Sequence, residues 1–249
     1  MMRSLSIIFP LLWFLTGSLC MRQDKPPQNG QGKYNLGRDE YGEKRRQMVA
    51  TQIKARGVED ERVLAAMLTV ARHQFVPEQE WHLAYEDFPL PIGYEQTISQ
   101  PYIVAYMTDV LDVKPGDRIL EIGTGSGYQA AVLSLLAQEV FSIEIVAPLC
   151  AEAATRLQKL GYANVQVRCG DGYAGWPEKA PFDAIIITAA PEKIPSPLLD
   201  QLAPNGRMIL PLGGYYQELV LIRKDQHGQL NRQNLIPVRF VPMTGKAEK

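Results

Sequence analysis

The chain has 249 residues, 46% of them hydrophobic, enough to bury one core with extensions or two small ones. Its 26 Lys and Arg nearly balance 27 Asp and Glu, a formal net charge of −1, so no nucleic acid and no anionic membrane is expected to be held by bulk electrostatics. Cys20, Cys150 and Cys169 contain no C-x-x-C pair and imply no disulfide framework; His73, His82 and His227 lack metal-ligand spacing, so no metal is expected and they read as surface or packing residues.

Arg3 precedes a nearly unbroken apolar run, Leu5 to Leu19. Residues 1–20 therefore read as a signal-like leader, shorter than a span of about 20 residues requires. Cys20 raises a lipid anchor, although Leu19 stands where such sites favour Gly or Ala. Residues 21–42 are polar and rich in Gly and Pro, a flexible linker. A single domain is expected over 43–245, with 246–249 as a tail.

Residues 43–111 read as a helical cap that carries a substrate segment. Glu43 to Arg56 is amphipathic, with Met48 and Ile53 on its apolar side, and Gly57 ends it. Asp60 is placed to cap a helix over Glu61 to Val70. Prolines at 89 and 91 make Trp81 to Tyr94 loop and short extended pieces. Gln96-Thr97-Ile98-Ser99-Gln100-Pro101 then precedes a helical pattern from Tyr102. Ser99 could be a simple N-cap with Pro101 in the first turn. Hydroxyls and free N–H groups at a helix start also suit an anion such as a carboxylate, and the two readings are compatible.

Residues 112–245 read as a cofactor-binding sheet. Arg118 to Ile122 is a short buried strand, followed by Gly123, Thr124, Gly125, Ser126 and Gly127 and then an apolar helix from Tyr128 to about Ala137. Strand, glycine turn and helix begin a nucleotide site in an open α/β sheet. The dinucleotide pattern G-x-G-x-x-G wants a third glycine at 128, where this chain has Tyr128. A second strand ends near Glu144, about 20 residues on, where such a site places an acid against ribose hydroxyls. Pro148 to Gly161 is helical. Val165 to Cys169 is a strand leading into Asp171-Gly172, a pair that is also common in turns. Phe182 to Thr188 is a central parallel strand. Leu198 to Leu202 is a short helix, and Arg207 to Pro211, Gln217 to Arg223 and Val238 to Val241 are further strands.

The glycine loop, with Glu121 two residues before Gly123, resembles that of class I S-adenosylmethionine methyltransferases. Four blocks narrow the likeness: R-G-V-E-D-E-R-V-L-A-A-M at 56–67, Q-T-I-S-Q-P-Y-I-V-A at 96–105, K-P-G-D-R-I-L-E-I-G-T-G-S-G-Y-Q-A-A-V-L at 114–133 and P-F-D-A-I-I-I-T-A-A-P at 181–191. In order and spacing they resemble the protein-L-isoaspartate O-methyltransferase family. Glu95 departs from it, since bacterial members often carry glycine there, and so does Arg72-His73, where proline often precedes the arginine. Thr188-Ala189-Ala190-Pro191 replaces the Asn/Asp-Pro-Pro-Tyr/Phe block of many nitrogen methyltransferases, which fits a nucleophile that is already an anion.

The resemblance implies an α/β fold: a doubly wound, Rossmann-like methyltransferase sheet, mostly parallel, with an antiparallel C-terminal hairpin and a helical N-terminal cap. It implies S-adenosyl-L-methionine as cofactor, held by Glu121, Gly123, Thr124, Gly125, Gly127, Glu144, Asp171, Gly172 and Thr244. Glu121 would lie near its methionine moiety and Asp171 near its adenine amino group. Thr97, Ile98, Ser99 and Gln100 would hold the substrate, with Ser99 the active-site residue. The implied reaction esterifies the α-carboxylate of L-isoaspartyl residues in damaged proteins and peptides; the alternative is another S-adenosylmethionine-dependent methyltransferase with a small-molecule or nucleic-acid acceptor. A monomer in the cytoplasm is expected, where the cofactor is made, with membrane association only if the N-terminal segment is retained. An exported or membrane-tethered form through Leu5–Leu19 is the alternative.

Overall fold

The computed structural model describes residues 41–246; residues 1–40, where a leader and a linker are expected, and residues 247–249 lie outside the described residues. The first helix begins as α1 (Gly42–Gln47) and continues through a π-helical stretch, Met48–Ile53, and a 3-10 turn, Lys54–Arg56. The one amphipathic helix expected over 43–56 is thus a rod with three windings, and Met48, Val49 and Ile53 form its buried side. Gly57 ends it in the left-handed region at φ 91°. Asp60 caps α2 (Glu61–Thr69), accepting from the Arg62 N–H at 2.8 Å.

After two 3-10 turns comes a small hairpin of β1 (Leu90–Gly93) and β2 (Gln96–Ile98). Its turn residues Tyr94 and Glu95 both have positive φ, 52° and 57°, so Glu95 occupies backbone that favours glycine. Helix α3 (Pro101–Leu111) follows with Gln100 in the N-cap position and no side-chain cap. The cap considered for Ser99 is therefore absent: pairing of Ile98 with Leu90 carries the strand too far for Ser99 to open the helix.

The main sheet has seven strands: β3 (Arg118–Ile122), β4 (Glu139–Glu144), β5 (Val165–Cys169), β6 (Phe182–Ile187), β7 (Leu202–Leu212), β8 (Gln217–Lys224) and β9 (Leu230–Val238). Their spatial order is β5-β4-β3-β6-β7-β8-β9, parallel through β7 and antiparallel thereafter. Helices α4 (Tyr128–Ser134), α5 (Ala147–Lys159) and α6 (Ser196–Asp200) lie between strands. The chain winds outward from β3 to β5, then returns to lay β6 on the other side of β3. That reversal is the switch point where open α/β sheets bind ligands.

Three expectations are corrected. The last strand is Leu230–Val238, not Val238 to Val241. Its L-N-R-Q-N half is exposed and has no apolar alternation, so only the backbone ladder with β8 makes it a strand. Helix α4 stops at Ser134, and the Asn164 amide donates to the carbonyls of Ser134, Ala137 and Gln138 at its end. Finally, Cys150 and Cys169 form a disulfide. No local spacing announces it; the first turn of α5 and the end of β5 become neighbours only once β5 pairs with β4.

The cap docks through Tyr128. Its buried ring meets Phe75 edge-on at 5.5 Å and the Arg72 guanidinium at 5.0 Å. Arg72 is fully buried, and burial lowers its pKa to about 10. Its Nε donates to Ala84 O at 2.8 Å. His73 packs in a second aromatic group, stacked on Tyr41 at 4.3 Å beside Trp81 and Tyr85, while His82 and His227 are exposed.

Candidate active site

A cavity lies at the carboxyl ends of β3, β4 and β6. Its free space, open solvent at the mouth included, is about 790 Å³. Four stretches build its wall: Gln96 to Ser99 from the cap, Ile122 to Ser126 from the glycine loop, Ile143 to Val146 after β4, and Val241 to Thr244 near the C-terminus. Tyr128, Gln129, Gly172, Thr188 and Ala189 complete it with Val104.

The glycine loop is held from three sides. Gly123, at φ 97°, passes so close to Thr188 that a Cβ there would lie 2.5 Å from its Oγ1. Thr188 Oγ1 donates to Gly123 O at 2.7 Å. Glu144 fastens the loop to the second strand: Oε2 accepts from Gly125 N at 2.7 Å and Oε1 from Val146 N at 2.9 Å. Beneath the loop, Thr124 Oγ1 meets Ser142 Oγ at 2.5 Å, and Ser142 in turn donates to Glu121 Oε2.

Glu121 is fully buried, and its Oε1 has no hydrogen-bond partner among the described residues. Burial, with the charge of Glu144 adding to it, pushes its carboxyl up to about 8, against the pull of the Ser142 hydrogen bond. An uncompensated buried acid is costly unless a donor or cation completes it. The ammonium of the cofactor's methionine moiety is such a group, so the residues present fit S-adenosylmethionine.

The expected site residues divide as follows. Thr97, Ile98, Ser99, Gly123, Thr124, Gly125, Glu144, Gly172 and Thr244 line the cavity. Gly127 does not; it turns the chain into α4 at φ 90°, against Leu157. Glu121 sits under the loop, and Gln100 faces away from the lining as the N-cap residue of α3. Asp171 also lies off the lining, where it accepts from Tyr173 N at 2.9 Å and Lys246 N at 2.6 Å and so fixes the turn that presents Gly172. Sequence reasoning missed Ser126, Val146, Thr188 and Met243; small and apolar residues carry no chemical signal, and only the fold brings them to the wall. Among the described residues no group of His, Cys, Asp and Glu could hold a metal ion, and no helix is long and apolar enough to cross a membrane.

Comparison with known proteins agrees with this geometry. The family model described as protein-L-isoaspartate(D-aspartate) O-methyltransferase matches residues 43–248. A protein-L-isoaspartate O-methyltransferase of Gloeobacter violaceus is 56% identical over 200 residues, 79% of this chain and 97% of that protein. Protein-L-isoaspartate O-methyltransferase 2 of Syntrophobacter fumaroxidans is 57% identical over 188 residues, 75% of this chain and 76% of that protein. Among solved structures, a protein-L-isoaspartate O-methyltransferase superposes with a TM-score of 0.73 at 31% identity, covering 82% of this chain and 67% of the other. A Plasmodium falciparum protein in complex with S-adenosyl-L-homocysteine gives 0.70 at 28% identity, covering 80% and 98%. With its glycine loop and its Gln96–Ser99 segment walling one cavity, and with the family model matched over residues 43–248, the chain belongs to the protein-L-isoaspartate(D-aspartate) O-methyltransferase family.

Proposed function

We propose that this chain esterifies the α-carboxylate of L-isoaspartyl residues in damaged proteins and peptides, the step that starts their repair through a succinimide, and that Ser99 presents that carboxylate. The observation that carries the reading is that Gln96 to Ser99 and the glycine loop line the same cavity. One segment is placed for the acceptor and the other for the donor.

S-Adenosylmethionine, when bound, supplies an electrophilic methyl group on a cationic sulfur. A carboxylate with a reference pKa of about 4 is ionised near neutral pH and needs no general base. The wall fits that economy: among the described residues Glu144 is its single carboxylate, and both its oxygens accept backbone N–H groups. The Ser99 hydroxyl is half-buried and makes no hydrogen bond within the described residues, which leaves it free to donate to an incoming carboxylate. Ile98, Val104 and Ile122 exclude water around the reacting oxygen. Holding nucleophile and methyl in line supplies the rate, and such orientation contributes about 7–11 kcal/mol in favourable cases. Glu121 beneath the loop, with Glu144 beside it, fixes the donor's orientation.

The test is release of labelled methyl ester from an isoaspartyl peptide beside its normal aspartyl twin, with labelling of the first alone expected. Ser99→Ala should lower kcat/KM by about 10- to 100-fold, the value of one hydrogen bond to a charged group; unchanged kinetics would sink the Ser99 assignment.

Cofactor supply supports a cytoplasmic enzyme. The Cys150–Cys169 disulfide favours a second reading, an exported enzyme, because such bonds persist in oxidising compartments and the Leu5–Leu19 run is signal-like. Fractionation, with amino-terminal sequencing of the mature chain, separates the two.

A further inference from the structure

Two tyrosines at the tip of the β7–β8 hairpin stand almost wholly in solvent, Tyr215 at 91% and Tyr216 at 87% exposure. Tyrosine normally covers most of its ring, and two adjacent bare rings are unusual on a surface with no partner. They meet edge to face at 4.9 Å, so together they offer one continuous aromatic surface.

The hairpin tip is tied to the active-site wall. Gly213 N donates to Pro191 O at 3.0 Å, two residues beyond Ala189 of the cavity wall. Gln217 holds the other side: its Nε2 donates to Gly214 O at 3.2 Å and Phe240 O at 3.1 Å, and its Oε1 accepts from Phe240 N at 2.7 Å. Phe240 directly precedes the lining stretch Val241 to Thr244. At Gly213, with φ 125°, a Cβ would lie 2.1 Å from Tyr216 O, so the tip has one tight path. The tyrosines are thus mounted on the frame that forms one side of the cavity. The cap side carries a counterpart: Tyr94, 52% exposed, caps the hairpin whose second strand leads into Gln96 to Ser99.

We propose that Tyr215 and Tyr216, with Tyr94 from the cap wall, form an aromatic rim that grips the polypeptide on the flanks of the isoaspartyl residue. This rests on the activity proposed above and adds to it a device for taking long chains. An α-carboxylate that belongs to a residue within a chain brings that chain out over the mouth of the cavity, and the tyrosines ride on segments hydrogen-bonded to the residues next to its wall. Rigid, two-torsion tyrosine side chains bind backbone and apolar flanks at low entropic cost and with little regard to sequence. That suits an enzyme whose substrates share a damaged residue and no common flanks.

The experiment compares kcat/KM for a long unstructured isoaspartyl peptide with that for a minimal one, in the full chain and in the Tyr215→Ala/Tyr216→Ala double variant. The long-to-short ratio is expected to fall about tenfold in the variant, the equivalent of 1.4 kcal/mol. Tyr94→Ala should lower the same ratio from the other wall, and the Tyr215→Phe/Tyr216→Phe variant should restore it. An unchanged ratio in the alanine variants overturns the rim. So does a wild-type dimer in solution that the double alanine variant abolishes, which would assign the rings to a second copy of the chain. A wild-type chain that esterifies neither peptide overturns the activity itself, a result distinct from a flat ratio.

Discussion

Glu121 shows how one buried atom can report the cofactor. Its carboxyl is pushed up to about 8 by burial, then by Glu144, so the ligand-free chain holds it neutral near neutral pH. The folded state keeps a proton that the unfolded chain, with an ordinary value of about 4.3, has lost. Stability of the ligand-free protein should therefore fall as pH rises between that value and about 8 and level off above it. A cation set against the free Oε1 reverses the shift, so binding of S-adenosylhomocysteine, with its ammonium, is expected to release about one proton near neutral pH. Calorimetry in two buffers of different ionisation heat reads this directly; Glu121→Gln should remove the buffer dependence and weaken binding about 10- to 100-fold. Identical heats for the wild type in both buffers would refute the contact. At this scale the sequence was informative wherever chemistry is local. An acid at a strand end and alternating glycines need no fold to be read; the partners of Asp171, Tyr173 N in its own turn and Lys246 N from the chain's end, are set by the fold.

Between elements, the Cys150–Cys169 disulfide acts on the same cavity from behind. Cys169 is the register partner of Glu144 across β4 and β5, and the Gly170 N–H donates to Glu144 O at 2.9 Å. The bond also ties the first turn of α5 to the strand end that leads into Asp171 and Gly172. Closing a loop of 19 residues is worth about 3 kcal/mol against the unfolded chain. Reduction, or Cys150→Ser with Cys169→Ser, should lower the unfolding free energy by about that amount. It should also weaken S-adenosylhomocysteine binding by loosening the strand that supports Glu144. Denaturant titration and binding with and without reductant check both effects, and a reduced protein equal in both would show the bond to be incidental. The disulfide escaped sequence analysis because its spacing belongs to no motif. The parallel core strands were readable, since Phe182–Ile187 is rich in buried β-branched residues and Arg118–Ile122 leads straight into the glycine turn, but β9 is an edge strand that backbone pairing alone defines.

Over the whole molecule, the site belongs to neither half of the chain alone. The cap brings Gln96 to Ser99 and the sheet brings the glycine loop, Glu144 and Thr244. Their joint runs through two residues of the cavity wall: Tyr128 packed on Phe75 and Arg72, and Gln129 Nε2 donating to Thr108 Oγ1 at 2.9 Å. A ligand that fills the sheet side therefore presses on groups whose other contacts lie in the cap. The hairpin β1–β2 has short strands and two non-glycine residues at positive φ in its turn. Saturation with S-adenosylhomocysteine at about a hundred times its Kd stabilises the folded state by about 2.7 kcal/mol. If cap and sheet fold as one unit, amide exchange should slow by about a hundredfold throughout, including the hairpin amides that open only with the rest. Protection confined to the strands and loops between Arg118 and Gly172 would show that the cap opens on its own. The acceptor segment would then be ordered by the substrate and not by the cofactor. Phe75→Ala, which costs about 3–5 kcal/mol when such a ring is lost from a core, tests the same coupling from behind. It should bring hairpin exchange under ligand back toward the free rate while the glycine loop stays protected.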